Sequence, residues 1–306
     1  MYWLILAFLS AALLGCYDSL KKDALKGNAV IPVLFLNTLF SSLIFLPFIV
    51  LSATTDMLDT SIFHVASGGW DMHKYILLKA LIVLSSWILG YFGMKHLPLT
   101  IVGPINATRP VMVLVGALLV FGERLNGWQW IGVLLAVLSF LLLSRSGKKE
   151  GIDFKHDHWI WMIVGAAALG AVSGLYDKYL MAPVGSGGVG LDRMMVQSWY
   201  NIYQCFMMLA MLYLLWWPRH RDPPPLHWSW SIIGVSIFLS TADFMYFYSL
   251  SMPDAMISIV SMIRRGSVIV SFLFGAAFFH EKNLKAKAFD LALVLLGMIF
   301  LYIGSA

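Results

Sequence analysis

The chain has 306 residues, 60% of them hydrophobic and 12% charged, and its mean hydropathy of +0.80 lies well outside the range of soluble domains. Its net charge of +5 would suggest nucleic acid in a soluble chain, but the basic residues fall mostly in short loops, where they orient a protein in a bilayer. Composition therefore excludes a soluble domain and a nucleic-acid partner, and predicts a multi-pass integral membrane protein.

The first predicted helix covers about residues 2–20. Its start, MYWLILAFLSAALLG, lacks a basic leader and runs straight on into Asp18 and Lys21, which reads as a retained helix and not a cleaved signal. Helix two, about 30–52, carries Asn37 and Ser41 on one face. A polar loop with Gly68 and Gly69 precedes helix three, about 75–97, which holds Lys79 and Trp87. Helix four, about 99–121, contains Gly103, Pro104, Arg109 and Pro110, and its prolines should break or bend it. Freed backbone of that kind is tolerated at depth only where it lines a cavity or is covered by protein. Helix five, about 128–144, ends at the basic linker SRSGKKEGIDFKHDH.

After the linker the pattern repeats. Helix six, about 159–181, ends in GLYDKYLM, so Tyr176 and Asp177, followed by Lys178, match Tyr17 and Asp18. Helix seven, about 194–217, bears Gln197, Asn201 and Gln204 as a polar stripe. Helix eight, about 228–250, carries Asp243 and the aromatic run Tyr246, Phe247 and Tyr248. Helix nine holds Arg264 and Arg265 about ten residues into an apolar span, and Arg264 follows Pro253 by the same eleven residues that separate Arg109 from Pro98. Helix ten covers about 288–303. Five helices duplicated is an odd-numbered unit, so the two copies must cross the bilayer in opposite senses. The expected fold is all-α, with ten transmembrane helices in two inverted five-helix repeats, residues 1–149 and 150–306.

The segments LLVFGERLNGWQWIGVLLAVLSFLLL and FGAAFFHEKNLKAKAFDLALVLLGMIFLY resemble the EamA signature of the drug/metabolite transporter superfamily. Each ends one repeat, so the resemblance covers essentially the whole chain. It implies a ten-helix secondary transporter of small metabolites working by alternating access in the inner cell membrane. SMIRRGSVIVS also resembles the helix-nine motif of plastid sugar-phosphate translocators, with Arg at a position where those carry Lys, which adds weight to an anionic substrate. In helix two the chain departs from many EamA members, having Asn37 where they carry Arg five residues after a proline.

Charge at depth is the functional signal. Lys22, Lys79, Arg109, Lys178, Arg264 and Arg265 face three acids, Asp18, Asp177 and Asp243, and an unpaired buried cation is too costly to keep without a counterion. An anionic or zwitterionic metabolite would supply one, and Arg at the deepest positions suits a planar, bidentate acceptor. The competing reading has the lysines snorkelling to the interface and three arginines balanced by three aspartates. The expected substrate site comprises Arg264, Arg265, Arg109, Asn37, Asn201, Gln197, Gln204, Asp243 and Tyr246. The expected gating or coupling set is Asp18, Lys22, Asp177, Lys178, Tyr17 and Tyr176. Glu123 and Glu281 are read as helix-end structural groups. Cys16 and Cys205 give no disulfide or metal pattern, and His156 and His158 lack a third ligand, so neither metal nor cofactor is expected. Partners are a small-molecule substrate with a coupling proton or counter-substrate, and the chain would act as monomer or homodimer. An exporter of amphipathic, aromatic or cationic compounds with structural arginines is the alternative, followed by a membrane enzyme on a lipid-linked substrate. Loop charges place both termini outside, whereas the resemblance implies cytoplasmic termini.

Overall fold

The structure, a computed structural model, describes residues 2–109, 111–112, 126–148, 155–219, 226–252, 260, 263–278 and 284–305. Among these residues every regular element is helical. In chain order they are α1 (Tyr2–Ala24), α2 (Val30–Thr54), α3 (Trp70–His96), α4 (Leu99–Ala107), α5 (Gly127–Lys148), α6 (His158–Met181), α7 (Arg193–Ala210), α8 (Trp230–Leu250), α9 (Ser267–Phe278) and α10 (Leu284–Ser305). Five of them, α1, α2, α3, α6 and α8, are long and apolar enough to cross a membrane. Large apolar side chains such as Ile5, Phe8, Leu134 and Leu273 point outward, as a lipid-facing surface requires.

Two helix starts lie earlier than hydropathy suggests. α3 opens at Trp70, behind Gly69, and α10 opens at Leu284. Leu, Lys and Ala are good helix formers whatever their polarity, so the helices extend through residues that the apolar pattern assigns to loops. Lys287 therefore sits inside α10, fully buried, and is not a loop charge. α7 is regular only to Ala210 and continues as a π-helical turn, Met211–Trp216. In α4, Pro104 is accommodated within the helix, which gives way to a turn at Thr108.

The packing has a two-part logic. α1 packs on α8 and α3 on α6, while α2 packs on α7, α4 on α9 and α5 on α10. Advancing each label by five turns the first pair into the second and returns the other three to themselves. Two of these three, α5 with α10 and α2 with α7, run antiparallel. Along α5 and α10, Asn126 donates to the Gly304 carbonyl at 2.5 Å, Trp128 stacks on Phe300, and Ser139 donates to the Asp290 carbonyl at 2.7 Å. Along α2 and α7, Leu34 clusters with Met208, Ser42 donates to the Asn201 carbonyl at 2.8 Å, and Phe45 clusters with Met194.

Close contacts and polar ties fix the bundle. Gly15 of α1 lets α9 approach so nearly that a Cβ there would lie 2.8 Å from the Ser267 carbonyl oxygen, a small-residue contact of the kind that joins helices in lipid. At one end, Lys22 donates to the Met94 and Leu97 carbonyls at 2.6 and 2.5 Å, closing the end of α3. Asn28 exchanges two hydrogen bonds with the His227 backbone. Lys95 donates to the Asn28 carbonyl at 2.8 Å, so three connections are held together there.

Candidate functional site

α1, α3, α4, α6 and α8, with Tyr200 of α7 and the segment around residues 264–268, line a cavity of about 160 Å³. Among the described residues eight charged side chains line it: Lys21, Lys79, Arg109, Arg264 and Arg265 against Asp18, Asp177 and Asp243. Five cations against three carboxylates leave a surplus of two positive charges.

Each carboxylate already has a cation. Asp18 takes Lys21 at 2.8 Å, three residues along the same helix, and the ammonium also lies 4.3 Å from the centroid of the Tyr17 ring. Asp177 of α6 pairs with Lys79 of α3, both nearly excluded from solvent, and Lys79 stands over the rings of Tyr200 and Phe247. Asp243 receives Arg264 on one oxygen and the Tyr200 hydroxyl at 2.9 Å on the other, while the Arg264 guanidinium lies 4.1 Å from the Tyr246 ring centre. Charges held this way in a low-dielectric interior are tightly bound to their partners.

The surplus is carried by Arg109 and Arg265. Arg109 donates to Asn106 at 3.1 Å, but its Nε is buried with no partner among the described residues. Its guanidinium lies flat against Gly170, where a Cβ would come within 2.7 Å of Nη1. Arg265 has neither a hydrogen bond nor an ion pair among the described residues, and the like charges of Arg109 and Arg264, which line the same cavity, repel it. Two guanidiniums lining one cavity without a carboxylate among the described residues have the planar donor geometry that can take a negatively charged group.

Of the sequence-predicted residues, the cavity gathers Tyr17, Asp18, Arg109, Asp177, Asp243, Tyr246, Arg264 and Arg265. Asn37, Gln197, Asn201 and Gln204 are not in its lining. They form a buried polar seam between α2, α7 and α8. Asn37 donates to the Tyr91 hydroxyl at 3.0 Å and accepts from Ser236, Gln197 donates to the Ser240 carbonyl, and Asn201 donates to the Gln197 carbonyl. The Gln204 amide is buried with no partner among the described residues. Tyr176, about 100° around the helix from Asp177, donates to the Tyr75 carbonyl at 3.3 Å instead of lining the cavity. Lys22 also lies outside, as the cap of α3 described above. The Lys178 side chain, Glu123, Glu281 and Pro110 lie outside the described residues.

Sequence reasoning missed Lys21, Tyr91, Asn106, Tyr200 and Gly170. Lys21 was within reach, being one turn from Asp18. Gly170, Ser173 and Gly174 repeat small residues along one face of α6, a signal that something bulky packs there. For Tyr91 and Tyr200 the sequence offers no sign beyond their polarity.

The chain matches the family described as EamA-like transporter family over residues 1–145 and again over 157–303. No curated protein matches it in sequence. A solved structure described only as "Crystal structure of protein" is similar with a TM-score of 0.60 and 14% identity, covering 97% of this chain and 98% of that one. At that identity the likeness concerns the fold alone.

Proposed function

The chain belongs to the EamA-like transporter family, and from that premise we propose that it carries a small anion through the central cavity by alternating access. Family and apolar helices together make it a multi-pass integral membrane protein of the drug/metabolite transporter type. The proposal adds ten membrane-crossing helices in two inverted repeats, 1–149 and 150–306, in the inner cell membrane. Supporting it are the two family matches on either side of the linker and helix contacts that map onto themselves when each half is exchanged for the other. Antiparallel packing of α5 on α10 and of α2 on α7 is what a two-fold axis in the membrane plane would produce.

The observation that carries the anionic substrate is the pair of guanidiniums, Arg109 and Arg265, left without a carboxylate among the described residues while the cavity's three described aspartates are occupied. A bare charge at membrane depth costs about 3 kcal/mol or more, and two lining the same cavity cost more still. A ligand bearing two negative charges would offset both. A zwitterion fits less well, since its ammonium would have to displace Lys21, Lys79 or Arg264 from an aspartate. Arg109 and Arg265, with Asn106 and Ser267 beside them, would hold the anionic group. Asp18 with Lys21, both on α1, would move as one unit, and Asp177 with Lys79 would open and close as the halves rock. The second of these pairs joins α3 to α6 across the two halves.

The test is thermal unfolding of purified protein against malonate and methyl phosphate as dianions, acetate as monoanion, glycine as zwitterion and tetraphenylphosphonium as an aromatic cation, followed by uptake into proteoliposomes. A ligand that binds only the folded state raises the midpoint. The dianions should do so most, and Arg109→Gln or Arg265→Gln should remove the effect without unfolding the apo protein. Stabilisation by tetraphenylphosphonium with no response to anions would establish the aromatic-exporter alternative instead.

A further inference from the structure

On the side of α4 away from the cavity, α5 and α10 pack around two buried charged residues that the site above does not use. Asp290 and Lys287, three residues apart on α10, are 2% and 0% exposed. Lys287 donates to the Thr100 hydroxyl of α4 at 2.9 Å. Ser139 of α5 is occupied by the Asp290 main-chain carbonyl at 2.7 Å, leaving the carboxyl to itself. Its Oδ2 is buried with no hydrogen-bond partner, and no cation pairs with it among the described residues. Among the described residues, Ser139 of α5 touches the Asp290 backbone, Thr100 of α4 meets Lys287, and the neighbouring Leu291 clusters with Ala107 of α4 and Val268 and Phe272 of α9. Lys287 is the one ionisable group in that set, and Thr100 engages its amine.

A full negative charge on this carboxyl, only 2% exposed and with no paired cation among the described residues, costs several kcal/mol in a desolvated interior. The neutral acid forgoes only a hydrogen bond, a far smaller loss. The packing therefore suits a protonated side chain. Its position also gives the proton mechanical reach. Leu291, the next residue, packs on Ala107 of α4 and on Val268 and Phe272 of α9. Ala107 precedes Arg109 by two residues, and Val268 itself lines the cavity. Any change in how α10 is seated thus bears directly on both arginine-bearing segments.

We propose that Asp290 is a proton-binding site, separate from the substrate cavity, that couples proton movement to the rearrangement of α4 and α9. In the conformation described here the carboxylate has taken up one proton, forming an O–H bond and losing its charge. When α10 shifts and water reaches Oδ2, the proton leaves to that water and the carboxylate is restored. The coupling role rests on the transporter reading, whereas the bound proton does not.

Two measurements separate those claims. In infrared difference spectra of the purified protein between mildly acidic and alkaline buffer, wild type should show a protonated-carboxyl stretch that Asp290→Asn lacks and Asp290→Glu restores at a shifted frequency. Identical spectra for wild type and Asp290→Asn would overturn the site. In proteoliposomes containing a pH-sensitive dye, external malonate or methyl phosphate should move protons through wild type and Asp290→Glu, and Asp290→Asn should lose that signal while still exchanging labelled anion for anion. Proton movement undiminished in Asp290→Asn would overturn the coupling. If neither anion is carried by wild type, the substrate reading fails and the infrared result decides the site alone.

Discussion

Gly170→Ala should disable the anion site while leaving the fold intact. The added Cβ would lie 2.7 Å from Nη1, 2.8 Å from Cζ and 3.1 Å from Nε of Arg109, against ordinary contacts of about 3.5–4.0 Å. The guanidinium must therefore retreat by roughly 1 Å, and it can, because it is the free end of a flexible side chain. The helix itself gains, since Ala is favoured over Gly by about 1 kcal/mol in a helix interior. Stability without ligand should stay within about 1 kcal/mol of wild type. Binding should not, because a misplaced guanidinium forfeits a charge-assisted hydrogen bond of about 1.5–3 kcal/mol, or roughly ten- to 150-fold in affinity. Calorimetric titration with malonate and methyl phosphate measures this directly. Gly174 supplies a comparison on the same helix and the same cavity, since a Cβ there meets nothing within 4 Å; Gly174→Ala should cost less than about 3-fold. Equal losses in the two variants, or unchanged affinity in Gly170→Ala, would refute the seating of Arg109 on Gly170.

Other substitutions probe the ion pairs. Lys79→Met should destabilise by about 3–5 kcal/mol because it strands Asp177, and the double variant Lys79→Met with Asp177→Leu should recover most of that; denaturant titration in mild detergent checks both. Tyr200→Phe removes one of the two partners of Asp243 and should cost about 1.5–3 kcal/mol, read as a lower unfolding midpoint. Lys22→Met should lower stability by about 1 kcal/mol through the lost cap on α3 and leave dianion affinity unchanged, whereas Lys21→Met should alter that affinity by freeing Asp18 in the cavity.

Hydropathy and helical period are local properties, and what they govern was legible in the chain: an apolar, helical, membrane-embedded protein, with matched tyrosine-aspartate pairs and arginines at equal distances from their prolines. The same residues supply most of the cavity, because charge at depth is costly enough to be kept only for a purpose. Periodicity says which residues share a face but not which helix that face meets. The polar stripes of α2 and α7 thus met each other and α8 in a seam beside the cavity. One step of about 100° around a helix put Lys21 in the cavity and Lys22 at the end of α3, and Tyr176 outside the cavity beside Asp177. Which acid takes which base is a question of neighbours. Only the packing of α3 on α6 gives Lys79 to Asp177, and only the resulting pairs leave Arg109 and Arg265 to face the cavity without a carboxylate.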